Sequence, residues 1–298
     1  MTFPFNPFQE IVSIAARHVK GSGDTPTPIG NVILSQRTQP SEPCHGSYRP
    51  CLALVLQGKK SVRLGAETIH YGRGDYLVTS LDLPVAWRIA EASEEAPHLC
   101  FSMIIDNAML ADLLKRVDAP RPVRGDDGRR GMAVNAATPE ILDAAVRLLR
   151  LLDRPEDIAA MAPLLQQEIL YRVLTGPDGG RLLNIAIADS RSNRVAKAVA
   201  WLRDNFAEPL RIEDLAERVN MSVSSFHHHF KEVTAMTPVQ YQKRLRLHEA
   251  RRLMMVERLD VASAGFCVGY RSPSQFTREY GRLYGLSPAR DMEAGGVS

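Results

Sequence analysis

The segment "SVSSFHHHFKEVTAMTP", residues 222–238, recurs 50 positions later as "SPSQFTREYGRLYGLSP", residues 272–288. Both copies begin with serine, carry aromatic residues at their fifth and ninth positions, and end in a hydroxyl residue followed by proline. Ser222 is a good N-cap, and the apolar residues after it are three and four positions apart, as in an amphipathic helix. The repeat therefore predicts two copies of one helical module.

Each copy follows a shorter segment of helical periodicity that contains a small residue, Ala216 in the first and Gly265 in the second. A small side chain at this point lets two helices cross closely, as a helix-turn-helix motif requires. Asn220 and Gly269 come next, and both are residue types that tolerate a tight turn. We therefore predict two tandem helix-turn-helix units.

The three consecutive histidines of the first copy raise the question of a metal site or a catalytic site. At about 100° per residue, His227, His228 and His229 fan around the helix, whereas a zinc site on one helix takes ligands at i and i+3 or i+4. These three histidines therefore predict no metal site, and we do not expect them to activate a catalytic nucleophile. Ser224, His227, His228 and Lys231 form a polar stripe opposite the apolar side. A solvated face and a surface that reads a ligand both remain open for this stripe.

A basic helical segment, residues 238–257, connects the two copies. At about 1.5 Å per residue, its 20 residues span about 30 Å. With the helices that it joins, such a rod places two recognition helices near the ~34 Å that separates successive turns of the major groove. One chain is thus predicted to read two adjacent turns of duplex DNA.

Length and composition indicate an ordinary globular protein of two domains. The chain has 298 residues, of which 45% are hydrophobic and 24% charged, and no apolar run approaches the ~18 residues of a membrane span. The N-terminus lacks a basic segment followed by an apolar one, so no secretion signal is predicted. The four cysteines are scattered, which is typical of reduced thiols, and we expect a soluble cytoplasmic protein.

The charge distribution separates the C-terminal third from the rest of the chain. Residues 191–298 contain 17 Lys and Arg against 12 Asp and Glu, whereas residues 1–190 contain 20 against 22. A local basic excess is common on solvated helices, but it also favours nucleic acid as a partner.

The first two thirds of the chain change from a strand pattern to a helix pattern. Short apolar or alternating runs from Val32 to Ile89 predict strands, and the glycines of "YGRGDYLVTS", residues 71–80, predict a sharp turn. Residues 106–117, 138–153 and 155–176 then have helical spacing. Since Gly and Pro cluster after them, we predict an effector domain at 1–180, a linker at 181–192 and a DNA-binding domain at 193–298.

With these motifs the sequence resembles an AraC/XylS-type transcription regulator. The C-terminal resemblance lies in "LAERVNMSVSSFHHHFKEVTAMTPVQYQKRLRLHEARRLM" and "VGYRSPSQFTREYGRLYGLSPARD", and the N-terminal one in "YRPCLALVLQGKKSV" and "GRGDYLV". The resemblance implies an α+β multidomain protein. Its N-terminal part would be a cupin-like β-barrel with flanking helices, and its C-terminal part an all-α domain with two helix-turn-helix units.

In this family the second helix of each unit enters the major groove. The resemblance implies base contacts by Ser224, His227, His228, Ser274, Gln275, Thr277 and Arg278. The candidates for phosphate contacts are Arg194, Lys197, Lys231, Lys243, Arg244, Arg271 and Arg282, each of which is equally explained as an ordinary solvated cation. The pair Ala264-Gly265 replaces a larger apolar residue followed by alanine, which predicts a looser scaffold helix in the second unit.

The N-terminal part is predicted to sense a small molecule and not to catalyse a reaction. Cupin enzymes hold a metal with a close histidine pair, whereas His45, His70 and His98 stand alone, so we predict no metal, no cofactor and no enzyme activity. A barrel without metal still suits a small ligand. The candidate effector residues are Cys44, His45, Tyr48, Cys51 and Trp87.

The crowded segment "PCHGSYRPC" offers three interpretations. A thiol near imidazole and Arg49 is expected to be partly ionised, which would let the segment sense an electrophile or oxidant. The alternatives are that the segment lines the effector pocket or holds inert core cysteines.

The resemblance also implies partners: promoter DNA, RNA polymerase, an unidentified effector and a second copy of the chain, but no membrane. We expect the homodimer to form through the Leu-rich faces of the helices at 139–152 and 156–175. Rival functions are a cupin-type enzyme, which metal analysis would reveal, and an effector-independent DNA-binding protein, which ligand screening of residues 1–180 would reveal.

Overall fold

The computed structural model describes residues 7–117, 130–177, 179–186 and 191–295. The N-terminal part contains ten strands: β1 (Gly23–Pro26), β2 (Val32–Arg37), β3 (Cys44–Tyr48), β4 (Cys51–Gln57), β5 (Lys59–Leu64), β6 (Glu67–Gly72), β7 (Asp75–Thr79), β8 (Leu83–Glu91), β9 (His98–Ile104) and β10 (Met132–Ala136). The predicted strand region is confirmed by β2 to β8. Strands β1, β9 and β10 lie outside it.

The strands form two antiparallel sheets, ordered β1-β2-β9-β4-β7-β10 and β3-β8-β5-β6, where the sequence led us to expect a barrel. Val55 and Leu77 of the first sheet share a core with Val62 and Val85 of the second, so the sheets pack face to face as in a jelly roll. Strand β9 lies in the middle of the larger sheet and is mostly buried, so its sequence lacks the polar alternation that identifies a strand.

Helices cover the outer face of the larger sheet: α1 (Pro7–His18), α2 (Asn107–Leu114), α3 (Pro139–Arg150), α4 (Ile158–Thr175) and α5 (Gly179–Ala186). The three predicted helices are confirmed by α2, α3 and α4. Thr138 caps α3 as expected, because its hydroxyl accepts a hydrogen bond from the backbone N–H of Ile141. Pro155 begins a single 3₁₀ turn, and α4 itself starts at Ile158.

Residues 191–295 form a second part of the chain, and all the regular elements in this range are helices. Its helices are α6 (Arg191–Asp204), α7 (Ile212–Arg218), α8 (Val223–Thr234), α9 (Pro238–Met255), α10 (Val261–Cys267), α11 (Pro273–Tyr284) and α12 (Pro288–Gly295). Helices α7 and α8 form the first helix-turn-helix unit, and α10 and α11 form the second. The predicted rod is α9.

The predicted linker, residues 181–192, is not an extended connection in its described part. Helix α5 continues to Ala186, and α6 begins at Arg191. None of the helices in the described ranges is both long and apolar enough to cross a membrane.

Candidate nucleic-acid interface

The two recognition helices, α8 and α11, are fixed by matching contacts at their first turns. Ser222 accepts a hydrogen bond from the backbone N–H of Ser225 at 3.3 Å, and Ser272 accepts one from Gln275 at 3.3 Å. Phe226 and Phe276 are fully buried at equivalent positions. Each helix therefore has one side fixed in the core and the opposite side available to a partner.

The predicted base-contacting residues lie on this opposite side. Ser224 and His228 on α8 are exposed, His227 is half-buried, and the four candidates on α11 are exposed: Ser274, Gln275, Thr277 and Arg278. None of the seven packs inside the protein. The amide of Gln275 donates a hydrogen bond to the Glu279 carboxylate at 3.3 Å, which leaves Arg278 as the stronger candidate for reading a base on α11.

The scaffold helix of the second unit is packed more closely than its sequence suggested. Ala264 and Gly265 are buried, and a Cβ atom added at Gly265 would lie 3.1 Å from Cδ1 of Phe276. The absence of a side chain thus brings α10 and α11 together. The expectation of a looser helix is wrong in this respect.

Four of the predicted phosphate contacts line one groove of about 530 Å³ between the two units. They are Lys231, Lys243, Arg244 and Arg282, and the turn formed by Gly65 and Ala66 of the N-terminal part closes one side of the groove. Lys243 forms an ion pair with Glu279 at 2.9 Å, so this cation is shared between a neighbour and any ligand. The groove has a positive lining, which suits an anion.

The other three phosphate candidates lie outside the groove. Lys197 and Arg271 are exposed. Arg194 donates a hydrogen bond at 3.0 Å to the carbonyl oxygen of Asn220, in the turn between α7 and α8. Arg194 therefore also supports the turn that positions the first recognition helix.

The N-terminal part packs directly against the first helix-turn-helix unit. The backbone N–H of Gly131 donates to the carbonyl oxygen of Val233 at 2.9 Å, which joins the two parts through main-chain atoms. The Tyr241 hydroxyl donates to the carbonyl oxygen of Asp82 at 2.6 Å, and Arg203 forms an ion pair with the Asp82 carboxylate at 3.0 Å. Apolar residues of the two sheets share one core with α6, α8 and α9.

His45 lies at this interface between the two parts of the chain and not with the other effector candidates. Its ring is 5.0 Å from that of Tyr284 and 6.3 Å from that of His248, between centroids. Both ring nitrogens of His248, Nδ1 of His45 and the Tyr284 hydroxyl are buried without a hydrogen-bond partner among the described residues. Burial, together with nearby arginines, lowers the pKa of His45 to about 4, and burial beside His45 lowers that of His248 to about 3. The assignment of His45 to an effector pocket is therefore not supported by its position.

Tyr48 and Trp87 do lie together, and the structure adds a residue that sequence reasoning missed. The ammonium of Lys60 lies 4.5 Å from the ring centroid of Trp87 and 5.3 Å from that of Tyr48. Burial raises the pKa of Tyr48 and of neighbouring Tyr71 well above the usual value. Lys60 is the second residue of β5, and a lysine in a short alternating strand gives no sequence signal for a ligand site, because lysines are frequent in such strands.

The Cys51 thiol differs from the partly ionised thiol that the sequence led us to expect. All four cysteines are free, and Sγ of Cys51 lies 3.3 Å from the Thr79 hydroxyl. Burial raises the pKa of Cys51 to about 11, which is opposite to the partial ionisation expected from the sequence. The Cys44 thiol donates to the carbonyl oxygen of Glu42, and its strand neighbour across the sheet is Trp87.

The three histidines that were considered as cupin-type metal ligands lie on separate strands: His45 on β3, His70 on β6 and His98 on β9. A closer group is found on α8. Ligand atoms of His228, His229 and Glu232 all lie within 4.8 Å of one another, and this is the one such group of three among the described residues. The spacing argument considered only the histidines and missed Glu232.

Comparison with known proteins agrees with this architecture. Residues 28–181 match the profile of the AraC-type transcriptional regulator N-terminus, and residues 215–294 match that of a helix-turn-helix domain. The transcriptional activator RhaS of Escherichia fergusonii is 35% identical over 107 residues, which are 36% of this chain and 37% of RhaS. RhaS of Salmonella agona is 29% identical over 158 residues, or 52% of this chain and 55% of RhaS, so these matches span about half of the relatives or less.

A solved structure extends the similarity of fold to nearly the whole chain. ToxT from Vibrio cholerae O395 superposes with a TM-score of 0.54 over 87% of this chain and 96% of ToxT, at 8% sequence identity. At this level of identity the likeness concerns the fold alone.

Proposed function

The chain belongs to the AraC-type transcriptional regulators, and we propose that it binds promoter DNA sequence-specifically and responds to a small molecule. The observation that carries the proposal is the equivalent exposure of two polar helix faces. Ser224 and His228 on α8, and Thr277 and Arg278 on α11, point away from buried aromatic residues at matched positions. Two such faces on one chain suit two adjacent major-groove sites.

Arg278 is proposed to supply the strongest base reading. Its guanidinium can donate two hydrogen bonds to O6 and N7 of guanine, whereas each neutral imidazole of His227 and His228 offers one donor and one acceptor. Helix α8 is therefore proposed to read its site less strictly than α11. Lys231 and Arg282, at the groove between the units, are proposed to contact phosphates and to fix the register.

Helix α9 is proposed to hold the two faces apart. Its 18 residues span about 27 Å. Tyr241 and Leu245 join it to the first core, and Leu247 and Ala250 join it to the second. Because both ends are packed, the helix acts as a rigid spacer.

The N-terminal part is proposed to bind the effector near Tyr48, Lys60 and Trp87. An ammonium over two aromatic rings suits a ligand that combines an aromatic or apolar body with an anionic or hydrogen-bond-accepting group. Among the interpretations of the cysteine segment, the raised pKa of Cys51 favours a pocket wall or an inert thiol over a sensor of electrophiles or oxidants. We therefore propose no covalent chemistry and no enzyme activity for this domain.

A homodimer is proposed through α4, but not through the face expected from the sequence. The Leu-rich sides of α3 and α4 are buried against the protein's own sheet. A different side of α4 exposes Met161, Leu164 and Tyr171 at 41%, 58% and 36%, spaced by three and seven residues along one face. Apolar residues grouped in this way are typical of an interface. RNA polymerase remains a proposed partner on the basis of family membership.

Selection and sequencing of genomic DNA retained by the purified full-length chain tests the proposal. We expect enrichment of a discrete motif with two half-sites about one helical turn apart. Arg278→Ala should relax the preference at one base pair of one half-site. The control is Arg290→Ala, since Arg290 is exposed and lies outside the recognition helices. Retention of fragments with no common motif, or an unchanged motif with Arg278→Ala, would contradict the proposal.

A further inference from the structure

We propose that His228, His229 and Glu232 form a binding site for a divalent transition-metal ion on α8. Glu232 follows His228 by four residues and His229 by three, and side chains at these spacings are neighbours on a helix surface. Nδ1 of His229 lies 3.0 Å from Oε2 of Glu232. The ring centroids of His228 and His229 are 5.1 Å apart. All three ligand atoms lie within 4.8 Å of one another.

The type of ligand determines the class of ion. Two imidazoles and a carboxylate, without a thiolate, suit zinc, copper or nickel. Bond lengths near 2.0–2.2 Å require ligand atoms roughly 3.3 Å apart. The contact between His229 and Glu232 is already within that distance, and rotation of the His228 side chain brings in the third atom. Three protein ligands leave the fourth position to water.

The burial of two of the three side chains makes the site partly preformed. His229 and Glu232 are 13% and 17% exposed, so packing restricts their rotamers before an ion arrives. His228 is exposed and is able to close over the ion from the solvent side. The entropic cost of binding is therefore concentrated in one side chain.

The surroundings connect the site with the N-terminal part. Arg130 donates a hydrogen bond to the carbonyl oxygen of Glu232 at 3.3 Å and forms an ion pair with Glu67. The Glu67 carboxylate offsets the positive charge of Arg130, which would otherwise oppose a cation. One residue further, Gly131 and Val233 join the two parts through their backbones.

A simple ion pair between His229 and Glu232 is the competing explanation of their 3.0 Å contact. The two explanations differ at His228, because the ion pair does not involve this residue and the metal site needs it. They differ also in the consequence for DNA, a step that rests on the proposed function. The ring nitrogen of His228 that binds the ion can no longer accept a hydrogen bond from a base, and the ring is held toward Glu232, so an ion at this site should weaken DNA binding by α8.

Zinc titration of the purified full-length protein at pH 7.5, in competition with a chromophoric chelator, tests the site without DNA. We expect one zinc ion per chain, with affinity reduced about ten-fold or more by His228→Gln, His229→Gln or Glu232→Gln. His70→Gln removes an exposed imidazole on β6 and should leave the affinity unchanged. The X-ray absorption spectrum of the zinc complex should show nitrogen and oxygen ligands only. Equal affinity in all variants, or sulfur ligands, would overturn the proposal.

The coupling to DNA is measured separately with a DNA fragment retained from the genome. Zinc should lower the affinity of the wild-type chain for this fragment and leave that of Glu232→Gln unchanged. If zinc binds at the site and both proteins keep their DNA affinity, the coupling is refuted although the site stands. If no fragment is retained without zinc, the proposed function fails while the zinc titration still decides the metal site.

Discussion

Asn220 and Gly269 occupy the same turn of the two helix-turn-helix units, and both have left-handed backbone conformations, with φ of 53° and 88°. Asparagine and glycine are the residue types that adopt this conformation most readily. At Gly269 there is a second constraint, because an added Cβ atom would lie 2.2 Å from the carbonyl oxygen of Ala207.

Gly269→Ala should therefore destabilise the DNA-binding domain strongly. Left-handed strain and the clash with Ala207 together suggest a loss of about 3 kcal/mol in the free energy of unfolding. The matched control is Gly285→Ala, since Gly285 has φ of 78° but no atom within 4 Å of the added Cβ. That change should cost about 1 kcal/mol. Urea denaturation followed by circular dichroism measures both, and equal losses would show that the approach to Ala207 has no role.

The repeat made these turn positions predictable, and it also indicates a related position whose own residue type gives no signal. Ala235 ends α8 with φ of 58° at the place where Gly285 ends α11. Alanine carries no sequence signal for a left-handed conformation. Only the alignment of the two copies points to it, since the second copy has glycine there.

Arg278→Ala and Arg282→Ala should separate base reading from backbone binding. Loss of a guanidinium that reads guanine should cost about 1–3 kcal/mol and relax sequence preference at one base pair. Arg282 lines the groove with other cations, so its loss should weaken binding to all sequences alike. It should also reduce the slope of the logarithm of the binding constant against the logarithm of the salt concentration by about one. Fluorescence anisotropy with matched and mutated fragments at several salt concentrations distinguishes them. Identical effects of the two substitutions would contradict the assignment.

Cys267 should react with thiol reagents much faster than Cys51. Cys267 is exposed, whereas burial raises the pKa of Cys51 to about 11, so few Cys51 thiolates exist at pH 7.5. Mass spectrometry after brief treatment with iodoacetamide should find Cys267 modified and Cys51 intact. Urea should abolish the difference. Rapid modification of Cys51 in the folded protein would revive the sensor interpretation.

Leu164→Glu should convert the proposed dimer into a monomer. Leu164 is 58% exposed in the middle of the apolar face of α4, so a carboxylate there would be buried by a partner copy. Val256→Glu changes another exposed apolar residue, 70% exposed at the end of α9, and should leave the mass unchanged. Analytical ultracentrifugation gives the mass of each protein. A wild-type monomer would refute the interface.

Features that depend on residues close together in the chain could be predicted from the sequence, whereas contacts between distant residues could not. Periodicity, caps and the internal repeat depend on neighbouring residues, and they located the helices, most strands and both recognition faces. The interface between the two parts depends on contacts such as that of Tyr241 with Asp82, which are 159 residues apart. No local pattern records such a pair, so the sequence did not reveal that His45 packs against His248 and Tyr284 at this interface.

The contact of His45 with His248 should make the interface sensitive to acid. Burial lowers their pKa values to about 4 and about 3, below the 6.5 of an unperturbed histidine. The charged groups around them are Arg63, Arg244 and Arg251, which disfavour protonation, and Asp291, which forms an ion pair with Arg251 at 2.8 Å. Because the folded state binds fewer protons than the unfolded state, this contact is intact above pH 6.5 and loses stability as pH falls toward 4.

Between pH 6.5 and 5.5 the two histidines should together reduce the free energy of unfolding by about 1 kcal/mol, after allowance for partial access of solvent. His248→Gln removes one titrating ring, so its free energy of unfolding should fall less steeply over this range than that of the wild-type chain. His70→Gln, which removes an exposed imidazole far from α9 in sequence, should keep the wild-type dependence and thereby controls for a general effect of losing a histidine. Urea titrations at half-unit intervals of pH supply the comparison. Parallel curves for the wild-type chain and His248→Gln would show that protonation at this interface does not couple to stability.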